Sequence, residues 1–333
     1  MAPNEARSSP TEPRGPTAAS STPVSNHDTE TYRGRFAPSP TGPLHFGSVI
    51  AAVGSFLQAR RRRGEWLVRM DDLDAPRTAA GAADAILADL ERLGLYWDGE
   101  ICYQHTRSDH HRRGLESLRA AGWTFPCGCS RKDYRGIYPG TCRDGLAPGK
   151  RARTRRMRVA DIHIELDDAV QGDCSQPLNQ SVGDFVIRRA DGIFAYHLAV
   201  VIDDADFGIS EIVRGADLLD STPRQIHLQR CLGLPTPAYA HLPVAVNGAG
   251  QKLSKQTFAE PVADKPAVPL LVGALDFLGQ QPPAQLRHAS LDELWSWAIG
   301  NWRLDRVPRQ RAIHWPDGKA ARYVPSKPDE VMD

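Results

Sequence analysis

Two stretches of this chain carry side chains suited to anions, and a third carries sulfur ligands. In Arg35-Phe36-Ala37-Pro38-Ser39-Pro40-Thr41-Gly42-Pro43-Leu44-His45-Phe46-Gly47-Ser48, a guanidinium, several hydroxyls and an imidazole fall in one turn-forming run. Pro38 and Pro40 hold the backbone extended, Gly42 and Gly47 let it approach a ligand closely, and His45 stands just before a helix start whose free N–H groups favour an anion. The second stretch, Lys252-Leu253-Ser254-Lys255-Gln256, offers two ammonium groups. Taken singly, the first reads as an ordinary turn with a packed histidine, and the second as a solvated loop. The third is Cys127-Gly128-Cys129, followed by Tyr134, Tyr138 and Cys142. Three thiolates and an oxygen suit a closed, structural zinc site, and free core thiols fit the same residues equally well.

These residues need a scaffold, and the apolar pattern supplies an α/β one. A short strand ending at Phe36 leads through the Pro/Gly turn into a helix from Ser48 towards the basic run Arg60 to Arg63. Trp66-Leu67-Val68-Arg69-Met70-Asp71-Asp72 is an apolar run ending in acids, which places Asp71 at the carboxyl edge of a sheet as a candidate partner for an ammonium group. Pro76 and Thr78 then introduce a helix with Ile86, Leu87, Leu90 and Leu93 as its core face. The run Ile193 to Asp204, followed by Ile209 to Leu219 with Arg214, reads as the second half of the same sheet, and His197 inside it as a packed core residue. Lys150 to Arg158 reads as a strand with one basic face, either a solvated edge or a contact for phosphates. Leu270 to Leu278 and Leu291 to Trp302 read as short helices.

Composition bounds the rest. At 333 residues and 41% hydrophobic, with a formal net charge of +1, the chain has room for one to three globular units. No apolar run approaches the roughly 20 residues that span a bilayer. Six cysteines, three of them clustered, point to a reducing compartment and metal binding rather than to disulfides, with Cys102, Cys174 and Cys231 as packing residues. Residues 1–30 are Pro, Ser, Thr and Ala with almost no large apolar side chains, which predicts a disordered tail, and Glu5, Glu12, Asp28 and Glu30 argue against a transit peptide.

The run from Arg35 to Ser48 resembles the first ATP-binding motif of class I aminoacyl-tRNA synthetases, in the Arg-x-x-Pro-Ser-Pro-Thr-Gly form of the glutamate branch. Lys252 to Gln256 resembles that class's mobile lysine-rich loop, and two matches in this order outweigh the ordinary-turn reading. The resemblance covers Tyr32 to about Pro308. It implies a Rossmann-type nucleotide-binding domain in two halves, 31–101 and 192–258, separated by an inserted zinc-containing, acceptor-like subdomain at 102–191. A short helical region at 259–315 and a polar tail at 316–333 follow, with no anticodon-binding domain.

The ligands implied are ATP with Mg2+ and L-glutamate. His45, Lys252 and Lys255 become the catalytic cations, His45, Gly47, Ser48 and Lys255 the ATP contacts, and Arg35, Phe36, Ala37, Pro38, Ser39, Asp71, Tyr196 and Arg214 the glutamate pocket. Cys-x-Cys followed by Tyr-x-x-x-Cys is similar to the knuckle of one small synthetase-like family, which implies one structural Zn2+ on Cys127, Cys129, Tyr138 and Cys142. Leu44-His45-Phe46-Gly47-Ser48, the Lys-Leu-Ser-Lys-Gln loop and the missing anticodon region resemble the truncated glutamyl-Q tRNA(Asp) synthetases. That likeness implies a cytoplasmic, monomeric enzyme acting on tRNA(Asp) that carries queuosine. One departure is Asp71, where the family has glutamate. Two rival expectations are a compact glutamyl-tRNA synthetase charging a tRNA 3′ end and a non-catalytic RNA-binding paralogue.

Overall fold

The computed structural model describes residues 31–252 and 260–315. Lys255 and both terminal stretches therefore lie outside the described residues. β1 (Arg33–Phe36) pairs in parallel with β2 (Glu65–Met70), and β2 with β3 (Cys102–Tyr103). Parallel neighbours need a crossover, supplied by α1 (Phe46–Arg61) and α2 (Ala82–Arg92). α1 begins where His45 caps it and ends with Arg60 and Arg61 in its last turn, where cations suit the helix dipole. Its Val49, Ile50, Val53, Phe56 and Leu57 are all buried, each contributing roughly 1.5–3 kcal/mol relative to exposure.

The inserted part begins with α3 (Ser108–Ala120) and an antiparallel sheet of β4 (Thr124–Cys127), β5 (Thr154–Met157) and β6 (Phe185–Arg188). β5 is the central strand, so the basic segment is not an edge. Arg156 turns inward, 4% exposed, with its guanidinium 3.8 Å from the Tyr138 ring centre. Between β5 and β6 run two small antiparallel ladders and one helical turn.

The chain then enters α4 (Tyr196–Asp206), β7 (Glu211–Gly215), α5 (Thr222–Leu232) and β8 (Ala238–Leu242). Here the expectation from sequence needs correction. Most of the apolar run Ile193 to Asp204, from Tyr196 on, forms a helix, and the strand carrying Arg214 comes only after it. A continuous apolar stretch fits a buried strand and a buried helix alike, and this one is long for a strand. β7 and β8 pair in parallel, and the Ser210 amide donates to the Arg33 carbonyl at 2.9 Å, joining the two halves beside β1. The strand order is therefore β3-β2-β1 followed by β7-β8, a doubly wound arrangement that reverses between β1 and β7.

Alternation along the strands feeds two cores. Val213, Ala240 and Leu242 pack with α1, whereas Ile212 and Tyr239 pack with α4 and α5. At Gly54 a Cβ would meet Leu242 Cδ1 at 2.4 Å, so glycine is what lets α1 lie this close to β8. β9 (Val244–Val246), α6 (Ala267–Phe277), α7 (Leu291–Asn301) and β10 (Ala312–His314) complete the described chain. Their tryptophans are tied by polar bonds as well as by area: Trp295 donates to the Leu93 carbonyl at 2.9 Å and Trp302 to Gln58 Oε1 at 2.8 Å. No helix among the described residues is long and apolar enough to cross a membrane.

Candidate active site

In an open parallel sheet the crevice for a ligand opens at the carboxyl ends of the strands, where their order reverses. A cavity of about 590 Å³ lies there, lined by Arg35 to Ser39 beyond β1, by Leu44, His45, Gly47 and Ser48 at the start of α1, and by Tyr196, Arg214, Asp217 and Lys252. Residues distant in the chain thus meet on one wall because β1 and β7 are neighbours. At the start of α1, His45 Nδ1 accepts from the Ser48 amide at 3.3 Å, and its Nε2 lies 3.2 Å from Ser48 Oγ. The Ser48 amide is thus taken by His45, whereas the earlier amides of the helix have no acceptor within it and so suit a phosphate. Lys252 Nζ pairs with Asp217 at 2.6 Å on the same wall.

The two arginines are each held by two of their three nitrogens. Arg35 grips Asp204 through Nε at 3.1 Å and Nη2 at 3.2 Å. Arg214 donates from Nε to His241 Nε2 at 3.0 Å and from Nη2 to Thr222 Oγ1 at 2.9 Å and Gln225 Oε1 at 2.7 Å. In both, Nη1 makes no hydrogen bond to a described residue, and in Arg214 that nitrogen is fully buried. Arg214 is 5% exposed and pairs with no carboxylate among the described residues. A buried cation left so is costly, and an anionic ligand would relieve it.

Asp71 stands apart. Its amide donates to the Pro38 carbonyl at 2.9 Å, beside the loop, but its carboxylate accepts from Arg69 Nε at 2.7 Å and it does not line the cavity. Arg69 also reaches Asp204 at 2.6 Å, so Arg35, Asp204, Arg69 and Asp71 form one buried, charge-balanced chain. Burial alone would raise the Asp204 pKa, but the facing Arg35 and Arg69 outweigh it and hold it below the ordinary value. Its contribution is therefore present above about pH 4, the unfolded pKa, and lost as pH falls through the lower folded value. Asp204→Asn should cost about 3–5 kcal/mol in urea unfolding at neutral pH and flatten the loss of stability below about pH 4; an unchanged midpoint would show that the pairs contribute nothing.

The sulfur cluster folds into a separate buried group. Cys127, Cys129 and Cys142 bring their sulfurs within 4.8 Å of one another, Cys129 and Cys142 at 3.6 Å. Tyr138 Oη lies 3.4 Å from Cys127 Sγ and 3.8 Å from Cys129 Sγ, whereas Tyr134 Oη accepts from Arg156 at 2.7 Å. Tetrahedral zinc with Zn–S near 2.3 Å places its donors roughly 3.5–3.8 Å apart, so this set fits. Arg156 Nε donates to Cys127 Sγ at 3.2 Å and Lys150 Nζ lies 3.7 Å from Cys129 Sγ, two cations against the excess negative charge of three thiolates. Burial would raise the Cys127 thiol, but the Tyr138 hydroxyl and Arg156 outweigh it and bring it down to about 7. Burial raises Cys129.

Several residues of the site carried no signal in the sequence: Asp168, Thr222, Gln225 and His241 are common residue types at unrelated positions, and only packing brings them together around Arg214.

A sequence profile described as tRNA synthetases class I (E and Q), catalytic domain, matches residues 31–137 and 137–267. Among curated proteins, a glutamyl-Q tRNA(Asp) synthetase of Aromatoleum aromaticum is 56% identical over 300 residues, covering 87% of this chain and 95% of that protein. One of the same name from Dechloromonas aromatica is 53% identical over 296 residues, covering 86% and 98%. Among solved structures, a glutamate tRNA ligase of Elizabethkingia meningosepticum in complex with its amino acid aligns with a TM-score of 0.72 at 24% identity, covering 84% of this chain and 66% of that one, which shows the shared fold. The nucleotide-binding sheet, the switch-point cavity and these relatives agree, and the chain belongs to the glutamyl-Q tRNA(Asp) synthetase family, enzymes built on the class I catalytic domain of the glutamate and glutamine type.

Proposed function

We propose that this protein activates L-glutamate with ATP and transfers it to the queuosine base in the anticodon of tRNA(Asp), acting as a monomer in the cytoplasm. The observation that carries the amino-acid half is Arg214: a buried cation with an uncommitted Nη1, on the wall of a cavity at the switch point of a nucleotide-binding sheet. The nucleic-acid half rests on what the relatives are named.

Glutamate brings two carboxylates and one ammonium group. Nη1 of Arg35 and Nη1 of Arg214 are the donors for the carboxylates, Ser39 and Tyr196 add neutral hydrogen bonds, and Phe36, Ala37 and Pro38 shape the wall. Asp71 serves the ammonium group through an intervening water, consistent with its shorter reach and its place beside Pro38. An oxygen of the α-carboxylate attacks the α-phosphorus of ATP, the bond to the β-phosphate oxygen breaks, and pyrophosphate leaves with glutamyl-adenylate behind. No enzyme nucleophile takes part. Positioning and charge supply the rate, from His45 and the amides near Gly47, from Lys252, and from Lys255 on the lysine loop. Mg2+ bound with ATP neutralises phosphate charge. A hydroxyl of the modified base then attacks the activated carbonyl and AMP leaves. Zn2+ on Cys127, Cys129, Tyr138 and Cys142 is structural.

The test is transfer of labelled glutamate to purified tRNA(Asp) with and without queuosine, followed by cleavage to locate the label. Label confined to the anticodon fragment, and only when queuosine is present, is expected. Label at the 3′ end would make the protein a compact glutamyl-tRNA synthetase. Absence of glutamate-dependent ATP–pyrophosphate exchange would leave a binding module.

A further inference from the structure

We propose that Asp168 and His241 are positioning residues for the substrate arginine, setting the tautomer of a buried imidazole so that it anchors Arg214 without neutralising it. The proposal rests on Arg214 as a glutamate contact.

His241 Nδ1 lies 2.6 Å from Asp168 Oδ2, and its Nε2 lies 3.0 Å from Arg214 Nε. Arginine nitrogens only donate, so Nε2 must accept there and the ring proton must sit on Nδ1, pointing at the carboxylate. Asp168 itself is held rigidly: Oδ1 accepts the amides of Val170, Gln171 and His241 at 3.0, 2.8 and 3.0 Å. Asp168, His241 and Arg214 are 2%, 0% and 5% exposed, so water cannot substitute for a lost partner. Burial lowers the His241 pKa and outweighs the opposing pull of Asp168, which keeps the ring neutral. The Tyr239 ring stacks on it at 6.0 Å and 11°.

The arrangement solves a specific problem. An arginine anchored directly on a carboxylate, as Arg35 is on Asp204, has much of its charge balanced by the protein. Placing an imidazole between Asp168 and Arg214 transmits orientation while keeping the negative charge a ring's width away. Arg214 is then fixed by neutral groups, His241, Thr222 and Gln225, and its full charge faces the ligand. Gln225 Nε2, like Arg214 Nη1, is a buried donor with no hydrogen-bond partner among the described residues.

Asp168→Asn tests this by changing little but one donor. The amide oxygen keeps the three backbone bonds, and its NH2 then faces His241 Nδ1, which must accept. The proton moves to Nε2 and meets Arg214 Nε donor to donor. In glutamate-dependent pyrophosphate exchange by the full-length protein, Asp168→Asn should raise KM for glutamate at least tenfold and leave KM for ATP within about twofold. In a His241→Gln background the same substitution should have almost no further effect, because a carboxamide offers its oxygen to Arg214 whatever residue 168 is. Unchanged KM for glutamate in Asp168→Asn, or additive effects in the double variant, would overturn the proposal while leaving the amino-acid site in place. Wild-type protein without glutamate-dependent exchange would overturn both. Should Asp168→Asn not fold, nitrogen NMR of histidine-labelled wild-type protein decides: a neutral ring at 241, identified by its loss in His241→Gln, with the proton on Nδ1 supports the proposal, and a proton on Nε2 overturns it.

Discussion

Arg214→Lys is expected to lower kcat/KM for glutamate in pyrophosphate exchange by a factor on the order of 10², with KM for ATP nearly unchanged. Lysine keeps the charge but not the planar fork. It cannot donate at once to His241, to Thr222 and Gln225, and to the ligand, which the three nitrogens of Arg214 are placed to do. Losing one charge-assisted hydrogen bond costs about 1.5–3 kcal/mol, and the His241, Thr222 and Gln225 acceptors left buried add to it. At about 1.4 kcal/mol per tenfold, the sum reaches that range. The control is thermal unfolding without substrate. A large fall in the midpoint together with equal rises in KM for both substrates would make Arg214 a structural residue and remove the carboxylate assignment.

Zinc is the second large effect. Purified under reducing conditions, the protein is expected to hold one zinc per chain, and Cys129→Ser to lose it. Structural zinc in small domains carries an apparent free energy on the order of 10 kcal/mol at neutral pH, because the site forms only in the folded state. Phe125, Cys127, Cys129, Tyr138 and Cys142 form a small cluster of their own, with little apolar area to replace the metal. Loss of zinc should therefore lower the unfolding midpoint by more than about 10 °C. It should also release the end of β4, where Cys127, a ligand in this reading, is the last strand residue. Metal-free wild-type protein with an unchanged midpoint would end the zinc reading and leave three buried thiols.

The sulfur cluster could be read in the chain because its cysteines are close together and sulfur is scarce, so few other groupings compete. The resemblance already favoured Tyr138 over Tyr134, and the fold agrees: Tyr138 turns its hydroxyl to the sulfurs, and the Tyr134 hydroxyl accepts from Arg156. The basic segment shows the opposite case. Its alternation predicts a strand with one charged face, yet β5 lies between β4 and β6, and Arg156 serves the cluster instead of a solvated edge. Side-chain alternation says which residues share a face, but not what covers that face.

What the sequence determined by itself is local. The Pro/Gly turn, the helix that follows with His45 at its cap, and the thiolate spacing are each set by backbone conformation within a few residues. Short-range sterics and hydrogen bonding suffice to specify them. The tertiary structure decided which charges remain available. Asp71 and Arg35 look alike in sequence as polar residues at strand ends, yet within the buried chain that holds both, Asp71 turns to Arg69 away from the cavity, while Arg35 lines it and keeps an uncommitted nitrogen. His241 and Asp168 are separated by β6, α4, β7 and α5, and no spacing rule relates them. They meet Arg214 because the pairing of β7 with β8 places Arg214 opposite His241. Electrostatics depends on distance in space, and only the packed sheet sets that distance.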